Sequence, residues 1–441
     1  MGVFGAMENA VSGMQAQAYA LDNISGNIAN SQTIGYKRVD TNFQDLIPDL
    51  GLASRITGGV NATSLSTNDV AGAFQSTGIN TNIALSGPGY FTVSEKTINS
   101  SGTASFDTTP YFTRRGDFTL DQNNNLVNGA GYYLMGYAVD PASGMISTGV
   151  PATIQVPTTD MAPKATSSVT YQGNLPTTPS NPVDTSTALA PGVTTPSVTT
   201  VSATQESTFL DSSISGGTAT LYDAKGTPVT LQTRWAQNSS GSWDLYYENN
   251  SAATGTAPKW TFFQNFQFNS SGALTVPATP QVSAPEGFSI DGTSLSNVTL
   301  DFTGLTNYGD TSGQFRATNI SQDGYSSANL TGVVVGDKGR VYAQYSNGKQ
   351  QAIADIAVAT FNGDSALKRL DGGVYEQSDQ SGQPIYGTGS TNILVGGLEG
   401  SNADISQEFT QMIATQQAYS ANAKVISTAQ QMMTDAIDVL R

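Results

Sequence analysis

At 441 residues the chain can hold two or three domains of roughly 100–200 residues each. A net charge of −16, with 12 % charged residues, excludes nucleic-acid binding through clustered Lys and Arg and is unsuited to anionic membranes. There is no cysteine, hence no disulfide frame. There is no histidine either, which removes the commonest general base near neutral pH, the commonest metal ligand and every Ser-His-Asp arrangement.

The opening MGVFGAMENAVSGMQ has neither a basic n-region nor an apolar h-region, so no cleavable secretory signal is expected. From about residue 3 to 30, Phe4, Met7, Val11, Met14, Ala18, Leu21 and Ile28 recur at alternating steps of three and four, interrupted only at Ser25. That is the spacing of a helical coiled-coil seam. Glu8 and Asp22 are the only charges before Lys37. A helix so poor in charge suits a crowded wall of neighbours better than open solvent.

Beyond a connecting segment the pattern turns to β. Tyr90–Val93, Thr218–Tyr222, Val229–Trp235, Trp243–Tyr247 and Ile353–Phe361 read as strands, and Asp223-Ala-Lys-Gly226 and Asp337-Lys-Gly339 as turns between them. The stretch from about 157 to 210 is rich in Thr, Ser and Pro and reads as a loop or linker at least as well as strands. From about 404 to 440 a second helical stripe follows: Ile405, Phe409, Met412, Tyr419, Ala423, Ile426, Met433, Ile437 and Leu440, with Gln416 and Gln430 in two slots. Ser401, Asn402 and Asp404 are candidate N-caps, Asp404 with Gln407 three residues on.

Three constellations invite a chemical reading. Gly363-Asp364-Ser365-Ala366-Leu367 has a passing likeness to an esterase serine motif, but a hydroxyl nucleophile needs a nearby base, usually histidine. Asp121, Asn123 and Asn125 mimic the start of a calcium loop. Leu126 stands where the loop needs Gly and Tyr132 where it needs Glu, so a hairpin turn is expected. Trp235, Trp243, Tyr246, Tyr247 and Trp260 could line a sugar groove, but strand-core packing is the simpler reading. No catalytic, cofactor-binding or metal-binding residue is assigned.

The run Leu21-Asp-Asn-Ile-Ser-Gly-Asn-Ile-Ala-Asn-Ser-Gln-Thr-Ile-Gly-Tyr-Lys-Arg38 resembles the N-terminal signature of the bacterial flagellar rod and hook axial protein family, through Asn23, Asn27, Asn30, Thr33, Gly35, Tyr36 and Lys37. Gly87-Pro-Gly-Tyr-Phe-Thr-Val93, Phe112-Thr-Arg-Arg-Gly-Asp-Phe-Thr-Leu120 and Gly131-Tyr-Tyr-Leu-Met-Gly136 resemble the family's inner β domain, and Ser401-Asn-Ala-Asp-Ile405 its C-terminal signature. Leu221-Tyr-Asp-Ala-Lys-Gly-Thr-Pro228 with Trp243-Asp-Leu-Tyr246 resembles the outer domain of the hook branch. Ser321-Gln-Asp-Gly-Tyr325 and Gly339-Arg-Val-Tyr-Ala-Gln-Tyr-Ser-Asn-Gly348 resemble its return to the inner domain.

The expected fold is mainly β: two nested β-rich domains plus a helical stem of paired N- and C-terminal helices. Expected boundaries are 1–30 stem helix, 31–70 connecting segment, 71–155 inner β domain, 156–325 inserted outer β domain, 326–400 inner domain again with the return linker, and 401–441 stem helix. The resemblance implies a non-enzymatic hook subunit that polymerises into a flexible tube, a universal joint carrying torque from rod to filament. It further implies an assembly seam of Phe4, Met7, Val11, Met14, Leu21, Ile28, Ile405, Phe409, Met412, Tyr419, Ile426, Met433, Ile437 and Leu440. The partners it implies are other copies of the chain, a hook cap protein, a distal rod protein, hook–filament junction proteins and the flagellar type III export apparatus, with no cofactor, nucleic acid or membrane. The location it implies is extracellular, at the flagellar basal body and hook. The alternatives are a distal rod protein of the same family, a secreted glycan-active enzyme, and an adhesin.

Overall fold

The structure, a computed structural model, describes residues 3–46, 59–98, 104–107, 109–141, 143–181, 199–238, 241–295, 297–389 and 391–439. Strands dominate and the terminal helices pair, the class of fold that the sequence implies. The chain forms two compact units. The first takes residues 1–158, 331–344 and 349–441; the second takes 159–330 and 345–348, inserted within it along the sequence.

In the first unit the N-terminal helix, Val3–Ala29, leads into a hairpin of strands Val39–Asp45 and Val60–Ser66. Part of the segment that connects them, 47–58, lies outside the described residues. The large sheet of this unit places Tyr90–Ile98 between Tyr132–Ala138 and Tyr111–Thr113, with Gln350–Ile356 beyond Tyr132–Ala138. Tyr90 and Phe112 of these strands join Phe361, Leu367 and Tyr375 in one aromatic-rich core. The calcium-like Asp121 is a turn residue: its Oδ1 accepts the N–H groups of Asn123 (2.9 Å) and Asn125 (2.8 Å) between strands Phe118–Leu120 and Leu126–Asn128. Asp364, of the esterase-like motif, begins a single short turn of 3-10 helix.

The second unit has two main sheets. Ser168–Pro176 runs through the middle of one, parallel to Thr299–Asp301 and Leu305–Tyr308 and antiparallel to Arg316–Gln322. The composition of 157–210 leaves loop and strand both open, and at this point it is strand. The stretch hides a period-two pattern in which Val169, Tyr171, Gly173 and Leu175 all point inward. A short helix, Glu206–Asp211, also interrupts it, while 182–198 lie outside the described residues. The other sheet orders Thr200–Ser202, Pro258–Phe268, Trp243–Glu248, Pro228–Gln237 and Ile214–Tyr222.

Trp235, Trp243, Trp260, Tyr246 and Tyr247 are all buried, so they fill cores and line no groove. Trp235 Nε1 donates to the Tyr171 hydroxyl at 3.0 Å, and that hydroxyl donates to the Gly216 carbonyl. All three tryptophans lie in this unit, so tryptophan fluorescence reports its unfolding separately. Trp235→Ala is expected to cost about 3–5 kcal/mol by cavity formation. The fluorescence-detected urea midpoint should fall, and the far-UV signal of the first unit's helices should unfold at an unchanged midpoint.

Candidate functional site

The two terminal helices, Val3–Ala29 and Ile405–Val439, lie antiparallel: Asn27 hydrogen-bonds Glu408, and Gly13 meets Asn422. The N-terminal helix has three faces. Ala10, Gly13, Ala16, Ala20, Ile24 and Asn27 are buried, mostly small residues that let the helices close on each other. A Cβ at Gly13 would lie 2.8 Å from Asn422 Nδ2. A second face binds the hairpin through Ser12 Oγ, which accepts from Val60 N at 3.2 Å, Tyr19 with Ser64 (2.7 Å), and Asn23 with Thr41 (2.9 Å).

The large apolar stripe occupies what is left. Phe4 is 74 % exposed and Val11 40 %, while Met7, Met14, Leu21 and Ile28 are partly covered. On the N-terminal helix the stripe read from the sequence is therefore not the face that pairs the two helices of one chain. On the C-terminal helix the stripe divides. Met412, Ile426 and Met433 are partly buried, in step with the buried Glu408 and Ala429. Ile405, Phe409, Tyr419 and Ile437 are exposed, Phe409 by 49 %. Leu440 lies outside the described residues. Asp404 is the cap, its Oδ1 accepting the N–H groups of Ser406 (2.8 Å) and Gln407 (3.0 Å).

The signature residues meet the C-terminal segment at the base of this stem. Asn27 Oδ1 accepts from Tyr36 Oη (3.2 Å) and Val39 N (2.9 Å), and its amide donates to Val39 O and to both Glu408 oxygens. Asn30 Nδ2 donates to Gly26 O, and the Thr33 hydroxyl donates to Asn30 Oδ1, closing the end of the helix. Gly35 has φ +66°, and a Cβ there would lie 2.8 Å from the Arg114–Arg115 backbone, so only glycine fits. Its N–H donates to Glu399 O at 2.8 Å. Arg369 lies over the Tyr36 ring at 4.2 Å and donates to Lys37 O. Asn402 Oδ1 accepts from Arg38 N at 2.7 Å while its amide donates to the Thr67 and Val70 carbonyls.

Beneath them lies a buried charge cluster. Lys37 Nζ is 2.5 Å from Glu399 Oε1, and Arg114 Nη1 is 3.2 Å from Glu399 Oε2, with all three side chains 1–3 % exposed. Lys37 also donates to Val70 O, Arg114 to Gly87 O, and Gly72 N–H to Glu399 Oε1. Burial pulls the Lys37 ammonium below its ordinary range, and Glu399 opposes that pull. Burial likewise lifts the Asp364 carboxyl, against the attraction of Arg114.

The sequence points to Lys37 and to the run containing Arg114, but not to Glu399, Glu408 and Arg369 as the partners. The available signal is the sparsity of charge: a lysine in so uncharged a region needs a carboxylate, and Glu399 adjoins the C-terminal signature.

Glu399→Ala leaves two buried cations sharing no carboxylate and is expected to cost about 3–5 kcal/mol. Circular dichroism melting should show the first unit unfolding well below wild type, with the tryptophan signal of the second unit unchanged.

Comparison with known proteins follows the same geography. Family models match at residues 7–37 (Flagella basal body rod protein), 84–177 (Flagellar hook protein FlgE/F/G D1 domain), 199–325 (Flagellar basal body protein FlaE D2 domain) and 395–439 (Flagellar basal body rod FlgEFG protein C-terminal). The flagellar hook protein FlgE of Salmonella typhimurium is 30 % identical over 435 residues, covering 98 % of each chain. That of Rhizobium meliloti is 30 % identical over 455 residues, covering 100 % of each. A crystal structure of Helicobacter pylori flagellar hook protein FlgE2 aligns with a TM-score of 0.49 at 14 % identity, over 72 % of this chain and 98 % of that one. With two chain ends locked at one buried cluster, hook-domain matches between them and full-length relatives of one name, this chain belongs to the bacterial flagellar hook protein family.

Proposed function

We propose that this structural subunit of the flagellar hook polymerises through the outward apolar face of its helical stem. One observation carries the reading: small residues pair the two helices within the chain, and the large apolar residues Phe4, Val11, Ile405, Phe409, Tyr419 and Ile437 stay exposed. A stripe of that size on two adjacent helices is more than scattered surface hydrophobicity and fits a contact with other copies. Full burial of one such side chain is worth about 1.5–3 kcal/mol, and a polymer repeats the gain at every subunit.

Copies joined in this way build a bendable tube that passes torque from rod to filament. The hook cap, the distal rod protein, the junction proteins and the type III export apparatus are the partners such a tube requires. No catalytic role is proposed, since the polar clusters at the base of the stem are committed to holding the fold.

Phe409→Asp tests this directly. Phe409 is exposed in the single chain, so monomer melting should be nearly unchanged. Polymer yield by sedimentation should collapse, the critical concentration rising at least about tenfold for each 1.4 kcal/mol lost. Thr428→Asp, exposed on the same helix but off the stripe, should polymerise near normally. Ile426→Asp should weaken both monomer and polymer, because Ile426 is partly buried on the side of the N-terminal helix. Normal tubes from Phe409→Asp would remove the stripe as the assembly face.

A further inference from the structure

Glu408 is an unusual residue to find between two helices. It is 1 % exposed, in the first turn of the C-terminal helix, and its side chain is hydrogen-bonded by a neutral amide, Asn27 Nδ2, at 3.2 and 3.3 Å from its two oxygens. The positive end of a helix favours a carboxylate, but Asp404 already takes the free N–H groups of Ser406 and Gln407 there.

The charged groups acting on Glu408 from the elements around it are Arg38 and Asp40 from the hairpin side and Asp404 from its own helix. Arg38 is shared with Asp40 (3.2 Å) and with Gln407 Oε1 (3.3 Å). Asn27, the contact from the N-terminal helix, carries no charge, and its oxygen is fixed by Tyr36 and Val39. The buried carboxylate thus sits between one cation already engaged and two further carboxylates. Its ionised form is poorly compensated in the closed stem and well solvated in an open one.

We propose that the Asn27–Glu408 contact is an acid-strengthened clasp: taking up a proton at Glu408 tightens the pairing of the two terminal helices, and releasing it loosens them. The protonated carboxyl keeps an oxygen for Asn27 Nδ2 and sheds the buried charge; the proton comes from and returns to solvent. Burial lifts the Glu408 carboxyl above its ordinary value, Asn27 and Arg38 oppose the lift, and Asp40 and Asp404 add to it. Because the closed stem binds the proton more tightly than the open chain, the added stability is fully present below about 4.5, the ordinary value, and is lost as pH rises through the closed-stem value. The clasp acts within one chain and stands whether or not the outer stripe is the assembly face.

Hydrogen exchange on the full-length monomer tests it, following amides of residues 10–24 across pH 4.5–7.5 and dividing by the unstructured-chain rate at each pH. Wild-type protection should rise as pH falls, by up to about tenfold per pH unit within the window. Glu408→Gln should hold nearly constant protection at the wild type's acid level. Identical pH responses in wild type and Glu408→Gln would overturn the proposal, as would wild-type protection that falls with acid relative to the variant. A carbon-13 titration of the Glu408 carboxyl decides independently of any variant. A midpoint above that of a free glutamate supports the clasp, and one at or below it refutes the clasp.

Discussion

Glu399 is the constraint on which the first unit depends. Its carboxylate holds Lys37, which follows the N-terminal helix, and Arg114, which follows strand Tyr111–Thr113, while its own backbone leads into the C-terminal helix. Two cations and a carboxylate removed from water are tolerable only where most of the remaining donors find oxygens, and here Val70, Gly87 and Leu85 supply them, with Arg114 Nε left without a partner. Parts of the chain more than 360 residues apart therefore converge at one point. Once they do, Gly35, Tyr36 and Asn402 have little freedom, and the two helices must leave in the same direction, side by side.

From that point the stem divides its surfaces by side-chain size. Alanine and glycine allow the helices of one chain to approach closely, and bulky side chains there would hold them apart. Tyr19 and Asn23 tie the helix to the hairpin with hydroxyl and amide contacts. The exposed large residues, Phe4, Val11, Ile405, Phe409, Tyr419 and Ile437, are what remains, while Met412, Ile426 and Met433 stay partly buried in the stem. Charge is nearly absent from these faces, so little desolvation opposes packing against further copies. The Thr and Ser hydroxyls of the C-terminal helix that bond back to its own carbonyls, such as Thr410 to Ser406 and Thr415 to Gln411, satisfy themselves locally and demand nothing of a neighbour.

Much of this architecture is legible in the sequence. The steps of three and four mark both helices to within a residue or two, and Asp404 is one of the three caps that the sequence suggests. Alternating apolar residues locate the large-sheet strand at Tyr90 and the tryptophan strands of the second unit. Three things are not plainly legible. The strand Ser168–Pro176 is masked by a composition of Thr, Ser and Pro, although Val169, Tyr171 and Leu175 keep its period. The small-residue face is masked because a periodicity reading weights bulk, so Phe4, Met7 and Val11 stand out and Ala10, Gly13 and Ala20 do not. The pairing of Lys37 with Glu399 leaves only the indirect trace of sparse charge, because residues that distant share no local pattern and only the folded chain brings them together.

A side-chain-resolution cryo-EM map of the native tube tests the central claim, that each chain closes its own stem and turns the large apolar stripe toward other copies. The expected map shows Gly13 against Asn422 and Lys37 against Glu399 within one continuous chain, and Phe4, Val11 and Phe409 in contact with different copies. A map in which the Ala10–Gly13–Ala20 face instead packs on the C-terminal helix of another copy, with the large stripe turned to solvent, would contradict it.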